Sequence, residues 1–137
     1  MRMTLVSALM LASMIAAPAL AQAPKQAVAS PALKAEFEGF IAKFRAAVKA
    51  NDSAAVAGMT RLPFMGDKTW SDAAKFRAKA YPEFFTAQNR ACIQRKKAEY
   101  ARDGENNDNY FVFCGESIFT FTRSPTGFLF TEVGVND

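Results

Sequence analysis

Histidine is absent from this chain of 137 residues. Its absence excludes a Ser-His-Asp triad, a Cys-His nucleophile pair and the histidine-containing zinc sites of most zinc enzymes. The only cysteines are Cys92 and Cys114, which are too few for a four-thiolate zinc or iron–sulfur site within one chain. We therefore predict no metal site and no cofactor, and the sequence favours a non-catalytic protein.

Net charge is also small. Seventeen basic residues against thirteen acidic ones give +4. Apart from the triplet at residues 95–97, the basic residues are interspersed with acidic ones, and no basic stripe with interleaved aromatics is present. The triplet is typical of a solvated helix end, so we predict no nucleic-acid partner.

The N-terminal residues have the order of a secretory signal peptide. Arg2 supplies the positive start, residues 5–20 form an apolar run broken by Pro18, and a small-residue cleavage site ends at Ala21. We predict cleavage after Ala21, a periplasmic or secreted protein, and no membrane span after cleavage. Residues 22–32, which contain two prolines, then form a flexible linker, and residues 33–137 form a single domain.

The cysteine pair lies in the mature region, where an oxidising compartment favours a disulfide between Cys92 and Cys114. The alternative is two buried free thiols. A redox-active pair is poorly supported because the spacing is not Cys-x-x-Cys.

The first half of the domain has the apolar periodicity of helices. Residues 33–50 form an amphipathic helix whose apolar positions are Phe37, Phe40, Ile41, Phe44 and Val48. Asp52 or Ser53 then caps a short helix. We expect Ser71 to cap the next helix, with Asp72 in its first turn, and Pro82 to break or kink it. A last helix over residues 82–96 directs Phe84, Phe85, Gln88 and Cys92 toward the core.

The second half predicts strands. A weak strand at residues 97–102 and a polar turn at 104–109 precede three clear strands at 110–114, 117–123 and 128–135. Gly115 suits a type II′ hairpin turn, with a bulge there as the alternative. The fold class is therefore α+β, with N-terminal helices packed on a curved C-terminal antiparallel meander of three to four strands.

The two turns also predict a register. Val112 lies opposite Phe119, Phe121 opposite Phe130, and Phe119 opposite Glu132. An aromatic face toward the helices then carries Tyr110, Val112, Cys114, Phe119, Phe121, Phe128, Phe130 and Glu132. The other face carries Phe111, Phe113, Ile118, Thr120, Thr122, Leu129, Thr131 and Val133.

This order of elements resembles the NTF2-like (cystatin-like α+β) superfamily, as found in small exported bacterial proteins. The resemblance rests on residues 37–64, a Phe-rich helix followed by a short helix and a Pro-Phe loop, and on the meander at 109–135. It implies a curved sheet folded over the longest helix. The superfamily includes isomerases, dehydratases and non-catalytic binding modules, so it does not select one activity.

Two carboxylates are candidates for a general base. Glu132 would have a raised pKa on a buried aromatic face, and Asp67 lies in a loop beside Gly66. The alternative for Glu132 is an ion pair near the sheet edge. Candidate ligand-binding residues are Tyr110, Trp70, Arg61 and Arg123, for which core packing or solvated positions are the structural alternatives.

Three functions follow from these residues. The first is a non-catalytic module that binds a small apolar or aromatic ligand between helices and sheet, or a periplasmic protein. The second is an isomerase or hydratase with Glu132 or Asp67 as base and Tyr110 as hydrogen-bond donor. The third is a secreted inhibitor of a cell-wall enzyme, with residues 104–109 as the disulfide-braced loop that enters the active site.

Overall fold

The computed structural model describes residues 27–137, so the predicted signal peptide, its cleavage site and the first part of the linker lie outside it. Five α-helices precede a four-stranded sheet, which confirms the α+β class. The helices are α1 (Pro31–Lys49), α2 (Ser53–Gly58), α3 (Ala73–Lys75), α4 (Tyr81–Phe84) and α5 (Ala87–Arg95). Among the described residues, no helix has both the length and the apolar character needed to cross a bilayer.

Helix α1 forms where its apolar periodicity predicts it, but it begins two residues earlier. The Ser30 side chain accepts a hydrogen bond from the Leu33 amide and caps the helix, and Pro31 occupies its first turn, a position that proline tolerates. The predicted linker therefore ends at Ser30. Asp52 caps α2 through the Ala55 amide, as one of the two predicted alternatives.

The predicted Ser71 cap is wrong by one residue. Asp72 is the N-cap of α3, and its carboxylate accepts a hydrogen bond from the Lys75 amide at 2.8 Å. Both residue types cap helices well, so composition could not choose between them. The preceding loop contains two short 3₁₀ turns, Phe64–Gly66 and Lys68–Trp70.

Pro82 does not end the helix in which it lies. A π-helical turn, Phe76–Ala80, joins α3 to α4, and there the Tyr81 amide donates to the carbonyl of Phe76. The wider turn accommodates the proline, which would clash with a carbonyl in a regular α-helix. The break comes instead at Phe85, after which Thr86 caps α5. Because α5 is thus a separate helix, Gln88 faces solvent, and its predicted core position is wrong.

The sheet is a meander of four antiparallel strands in the order β1 (Glu99–Arg102), β2 (Asp108–Cys114), β3 (Ser117–Ser124) and β4 (Gly127–Val135). Gly115 lies in the β2–β3 turn with φ of 62°, and Glu116 does not share its positive φ. This combination fits the predicted type II′ turn. Cys114 pairs with Ser117 across it, so the strands are joined by a two-residue hairpin, which excludes the alternative bulge at Gly115 within one long strand.

The predicted register holds until the middle of β4. Val112 pairs with Phe119, and Phe121 pairs with Phe130. The register then shifts, because Thr120 pairs with Glu132 and leaves Thr131 as an extra residue in β4. The predicted pairing of Phe119 with Glu132 is therefore wrong, and Val133 takes that place.

The helices cover one face of the sheet and form the core with it. Seven large side chains there have almost no solvent exposure: Phe44, Phe64, Phe76, Phe85, Phe119, Phe121 and Phe130. Ring contacts continue from α1 to the sheet, with Phe44 edge-on to Phe121 at 4.9 Å between centroids. The phenylalanine-rich core predicted from the sequence is confirmed.

A disulfide joins Cys92 on α5 to Cys114 at the end of β2, as predicted. Their Cα atoms lie 5.8 Å apart, within the range of ordinary disulfides, and both cysteines are buried. The bond fixes the last helix onto the core face of the sheet.

Candidate functional site

The sheet face away from the helices is the main candidate site. Side chains alternate along a strand, so Phe111 and Phe113 of β2 point away from the core that receives Tyr110 and Val112. Ile118 pairs with Phe113 and joins them on what we call the outer face. All three side chains are partly exposed, since no helix of the described residues covers them.

The bulge at Thr131 completes this face. It places Glu132 opposite Thr120, which itself lies opposite Phe111. Gly134 lies opposite Ile118 and adds no side chain, so the floor is open beside that residue. The outer face thus presents an apolar floor with one carboxylate at its β4 side.

A groove of about 770 Å³ lies over this floor. Its volume falls within the range typical of small-molecule sites. Beyond Phe111, Phe113 and Ile118, it continues past β1 to the residues that precede α1, and its charged borders are Lys34, Lys97, Glu99 and Glu132. The groove can therefore hold an apolar body and offers charges of both signs around it.

Polar hydrogen bonds occupy the other end of the outer face. The Thr122 hydroxyl donates to Asn109 at 2.7 Å and lies 2.9 Å from the Thr131 hydroxyl. Asn109 in turn donates to the carboxylate of Asp103 at 3.0 Å. These groups satisfy one another's hydrogen-bonding capacity, so this end of the face is a structural network. The apolar end therefore remains the candidate binding site.

Asp103 also holds the turn before β2. Its carboxylate accepts hydrogen bonds from the amides of Glu105 and Asn107 and from the Asn107 side chain. These bonds, those from Asn107 first, lower the pKa of Asp103 to about 2. The turn lies at the opposite end of β2 from Cys114, so the predicted inhibitory loop at 104–109 is braced by Asp103 and not by the disulfide.

Tyr110 lies on the core face and is only 6% exposed, although its edge borders the groove. Its ring stacks on Phe37 with centroids 3.7 Å apart. Its buried hydroxyl finds no hydrogen-bond partner among residues 27–137. Burial raises the pKa of Tyr110, with smaller contributions from Tyr100, Glu38 and Asp108.

The two candidate bases lie apart. Glu132 is exposed on the outer face, and its predicted position on the buried aromatic face is wrong because of the bulge. Asp67 is exposed in the loop before α3 and does not border the groove. Its carboxylate accepts hydrogen bonds from the hydroxyl of Thr69 and then from its amide, and these lower the pKa of Asp67.

Trp70 and Arg61 do not join the groove either. The indole of Trp70 packs against Phe64 and Phe84 at 5.7 and 5.5 Å, which is the packing alternative for this residue. Arg61 has an exposed side chain, and its backbone amide donates to the Phe130 carbonyl at the edge of β4.

Arg123 forms an ion pair with Glu36 of α1 at 3.0 Å, beside a small hollow of about 380 Å³. The pair connects the β3 hairpin end to the first helix. Of the six candidate catalytic and ligand-binding residues, the groove brings together only Tyr110 and Glu132.

The sequence predicts the residues of the groove floor on the face away from the helices, but the register alone does not predict that they bind a ligand. The available signal was that β2 is apolar at consecutive positions, Tyr110 to Phe113, where a half-solvated strand would alternate with polar residues. Such a strand has a second apolar face that needs either a cover or a ligand.

The described residues contain no group of three or more metal-ligating side chains close enough to hold an ion. No family model, curated protein or solved structure matches this chain. The function is therefore inferred from the site alone.

Proposed function

We propose that the protein is a non-catalytic binding module, and that the groove on the outer face of its sheet holds a small apolar or aromatic ligand. The observation that carries the proposal is the partly exposed floor of Phe111, Phe113 and Ile118 under a groove of about 770 Å³. An apolar ligand there removes these side chains from water, which stabilises the complex in proportion to the area covered.

The packed interior is an argument for a ligand site on the outer face and against one between the helices and the sheet. Phe44, Phe121 and Phe130 fill that space with essentially no exposure. Interiors packed in this way rarely contain voids larger than a water molecule. We therefore place the ligand site on the outer face of the sheet, and not between the helices and the sheet, where the sequence predicts it.

The positions of the candidate bases favour binding over turnover. Glu132 is exposed to solvent, outside the buried aromatic face on which its role as a base depends. Asp67 has a lowered pKa and lies outside the groove, so it is a poor proton acceptor there. Within this proposal Glu132 contributes charge at the groove border and does not transfer protons.

We also propose that the protein acts outside the cytoplasm, after cleavage behind Ala21. The Cys92–Cys114 disulfide supports this location, because oxidising compartments preserve such bonds. An NTF2-like relationship stays a proposal, supported by the helix-then-meander order. The intact mass of the exported protein tests both the cleavage site and the absence of free thiols after alkylation.

Binding can be tested with N-phenylnaphthylamine, a neutral apolar dye that fluoresces strongly out of water. We expect saturable binding to the disulfide-bonded protein and an affinity loss of about tenfold for Ile118→Gln, since one buried aliphatic side chain is worth about that factor. Leu129→Gln is the matched control, because Leu129 is also half-buried on the outer face but does not border the groove.

Equal affinity of the Ile118→Gln and Leu129→Gln proteins would overturn the proposed site. Thermal unfolding of both variants must first show that they remain folded. If the dye binds only to the reduced, partly unfolded protein, the folded groove is not the binding site.

A further inference from the structure

Charge is unevenly distributed between the two halves of the fold. The helical part, residues 31–97, carries thirteen basic and six acidic side chains. The sheet part, residues 98–137, carries two basic and seven acidic ones. The small net charge of the chain therefore conceals a basic helical part and an acidic sheet part.

Few of the basic side chains are neutralised by a nearby carboxylate. Within residues 27–137, the ion pairs are Lys34–Glu38, Arg102–Asp108 and Arg123–Glu36. Only Lys34 among these cations belongs to the helical part. The helical part keeps an excess of seven positive charges, thirteen against six, and such an excess attracts anionic surfaces.

Residues 61–79, which we call the basic segment, combine five of these cations with an exposed apolar residue. The cations are Arg61, Lys68, Lys75, Arg77 and Lys79, all of them exposed. The two acidic residues of the segment act as caps, since Asp67 accepts from Thr69 and Asp72 accepts from the Lys75 amide. Lys75 and Arg77 contact neutral serine hydroxyls, which leave their charge intact.

Met65 is the apolar residue of this segment, and 44% of its surface is exposed. Its φ of 54° lies in the left-handed region that non-glycine residues seldom adopt. Gly66 follows with φ of 70°, so two consecutive left-handed residues form this turn of the loop. The backbone thus holds a flexible, apolar side chain outward, between Arg61 and Lys68 in the sequence.

We propose that the basic segment docks the protein on an anionic phospholipid surface, with its cations on the headgroups and Met65 entering the boundary with the acyl chains. Phosphate headgroups complement the five cations, and each basic side chain near such a surface adds to the attraction. The exposed methionine favours lipid over an anionic polymer or a nucleic acid, since neither of these offers an apolar layer beneath its charges.

Docking at the basic segment leaves the groove free. None of Arg61, Met65, Lys68, Lys75, Arg77 or Lys79 borders the groove over the outer sheet face. The two surfaces are therefore separate, and loss of one kind of binding should not remove the other. The membrane proposal does not depend on the proposed groove ligand.

Co-sedimentation of the exported protein with vesicles of phosphatidylglycerol and phosphatidylcholine in equal parts tests the proposal. We expect binding that weakens as salt rises and is absent with phosphatidylcholine alone. The triple variant Lys68→Glu, Lys75→Glu, Lys79→Glu should bind at least tenfold more weakly, given the contribution of each charge to surface attraction. Met65→Ser should bind about threefold more weakly while keeping the same salt dependence.

The matched control is the triple variant Arg95→Glu, Lys96→Glu, Lys97→Glu, which has the same net charge but lies outside the basic segment. We expect its loss to stay below about threefold, because its charges act on the bilayer only at long range. Equal losses for the two triple variants would overturn the proposed segment. Heparin binding without vesicle binding would assign the cations to an anionic polymer and overturn the lipid proposal.

Discussion

Glu132 lies opposite Thr120 and not opposite Phe119, because Thr131 is an extra residue in β4. This one-residue shift moves a carboxylate from the buried face of the sheet to the groove border. It also turns Val133 into the core, where a glutamate would have to be desolvated. The bulge thus determines which residues border the groove, and it places Glu132, a candidate base, on the exposed face of the sheet.

Deletion of Thr131 should be tolerated. The flanking residues would then pair in a regular ladder, with Glu132 still opposite Thr120 and Val133 still in the core. We expect the free energy of unfolding to fall by about 1–3 kcal/mol, for the lost hydrogen bonds of the Thr131 hydroxyl. Deletion of Leu129 is the control, because it turns either Phe128 or Phe130 out of the core and should prevent folding. Urea unfolding followed by circular dichroism distinguishes the two; equal stabilities would contradict the bulge.

The disulfide should supply a large share of the stability. Its cysteines are separated by 22 positions, and closing a loop of that length lowers the entropy of the unfolded chain. We expect the double variant Cys92→Ser, Cys114→Ser to lose about 3 kcal/mol of unfolding free energy. The measurement is guanidinium unfolding of both proteins, with and without reductant. A reductant effect on the serine variant would show that the loss has another cause.

Tyr110→Phe should leave the stability unchanged or raise it by up to about 1 kcal/mol. The variant keeps the stacking on Phe37 and removes a buried hydroxyl that has no partner among the described residues. Tyr81→Phe is the matched control, because the Tyr81 hydroxyl donates a hydrogen bond to Asn51 at 2.7 Å. Loss of that bond should lower the free energy of unfolding by about 1 kcal/mol. Thermal denaturation of both variants provides the comparison. A clear loss for Tyr110→Phe would mean that this hydroxyl has a partner.

Asp103 should make the protein sensitive to acid. Its pKa is about 2 in the folded protein and near 3.8 when unperturbed, so the unfolded chain binds the proton more readily. Its contribution is therefore complete above about pH 4 and disappears as the pH falls toward 2. We expect Asp103→Asn to flatten the dependence of the unfolding midpoint on pH in that window. Glu105→Gln, in the same turn, should keep the wild-type slope.

The sequence predicted the parts of the fold that depend on local periodicity. The spacing of Phe37 and Phe44 located α1 and its buried face, and the Gly115 turn set the pairing of Val112 with Phe119. The disulfide was predicted from two observations together, namely the export signal and the position of Cys114 on the strand face toward the helices. In each case a short pattern was sufficient because few alternatives satisfied it.

The failures arose where the chain departs from a regular element. Thr131 resembles any strand residue, so nothing local showed that it would be extra. Pro82 predicted a break or a kink, but the chain stays helical through Pro82 after a π-turn, and the break comes at Phe85. The basic character of the helical part is not apparent along the sequence, because acidic residues are interspersed among its basic ones.

The groove on the outer face is most directly tested by amide chemical-shift mapping of the exported protein during titration with N-phenylnaphthylamine. We expect the largest shifts at Phe111, Phe113, Ile118 and Thr120, with little change at the core residues Phe44 and Phe121. Shifts concentrated in the helices, or at Phe44 and Phe121, would contradict binding on the outer face.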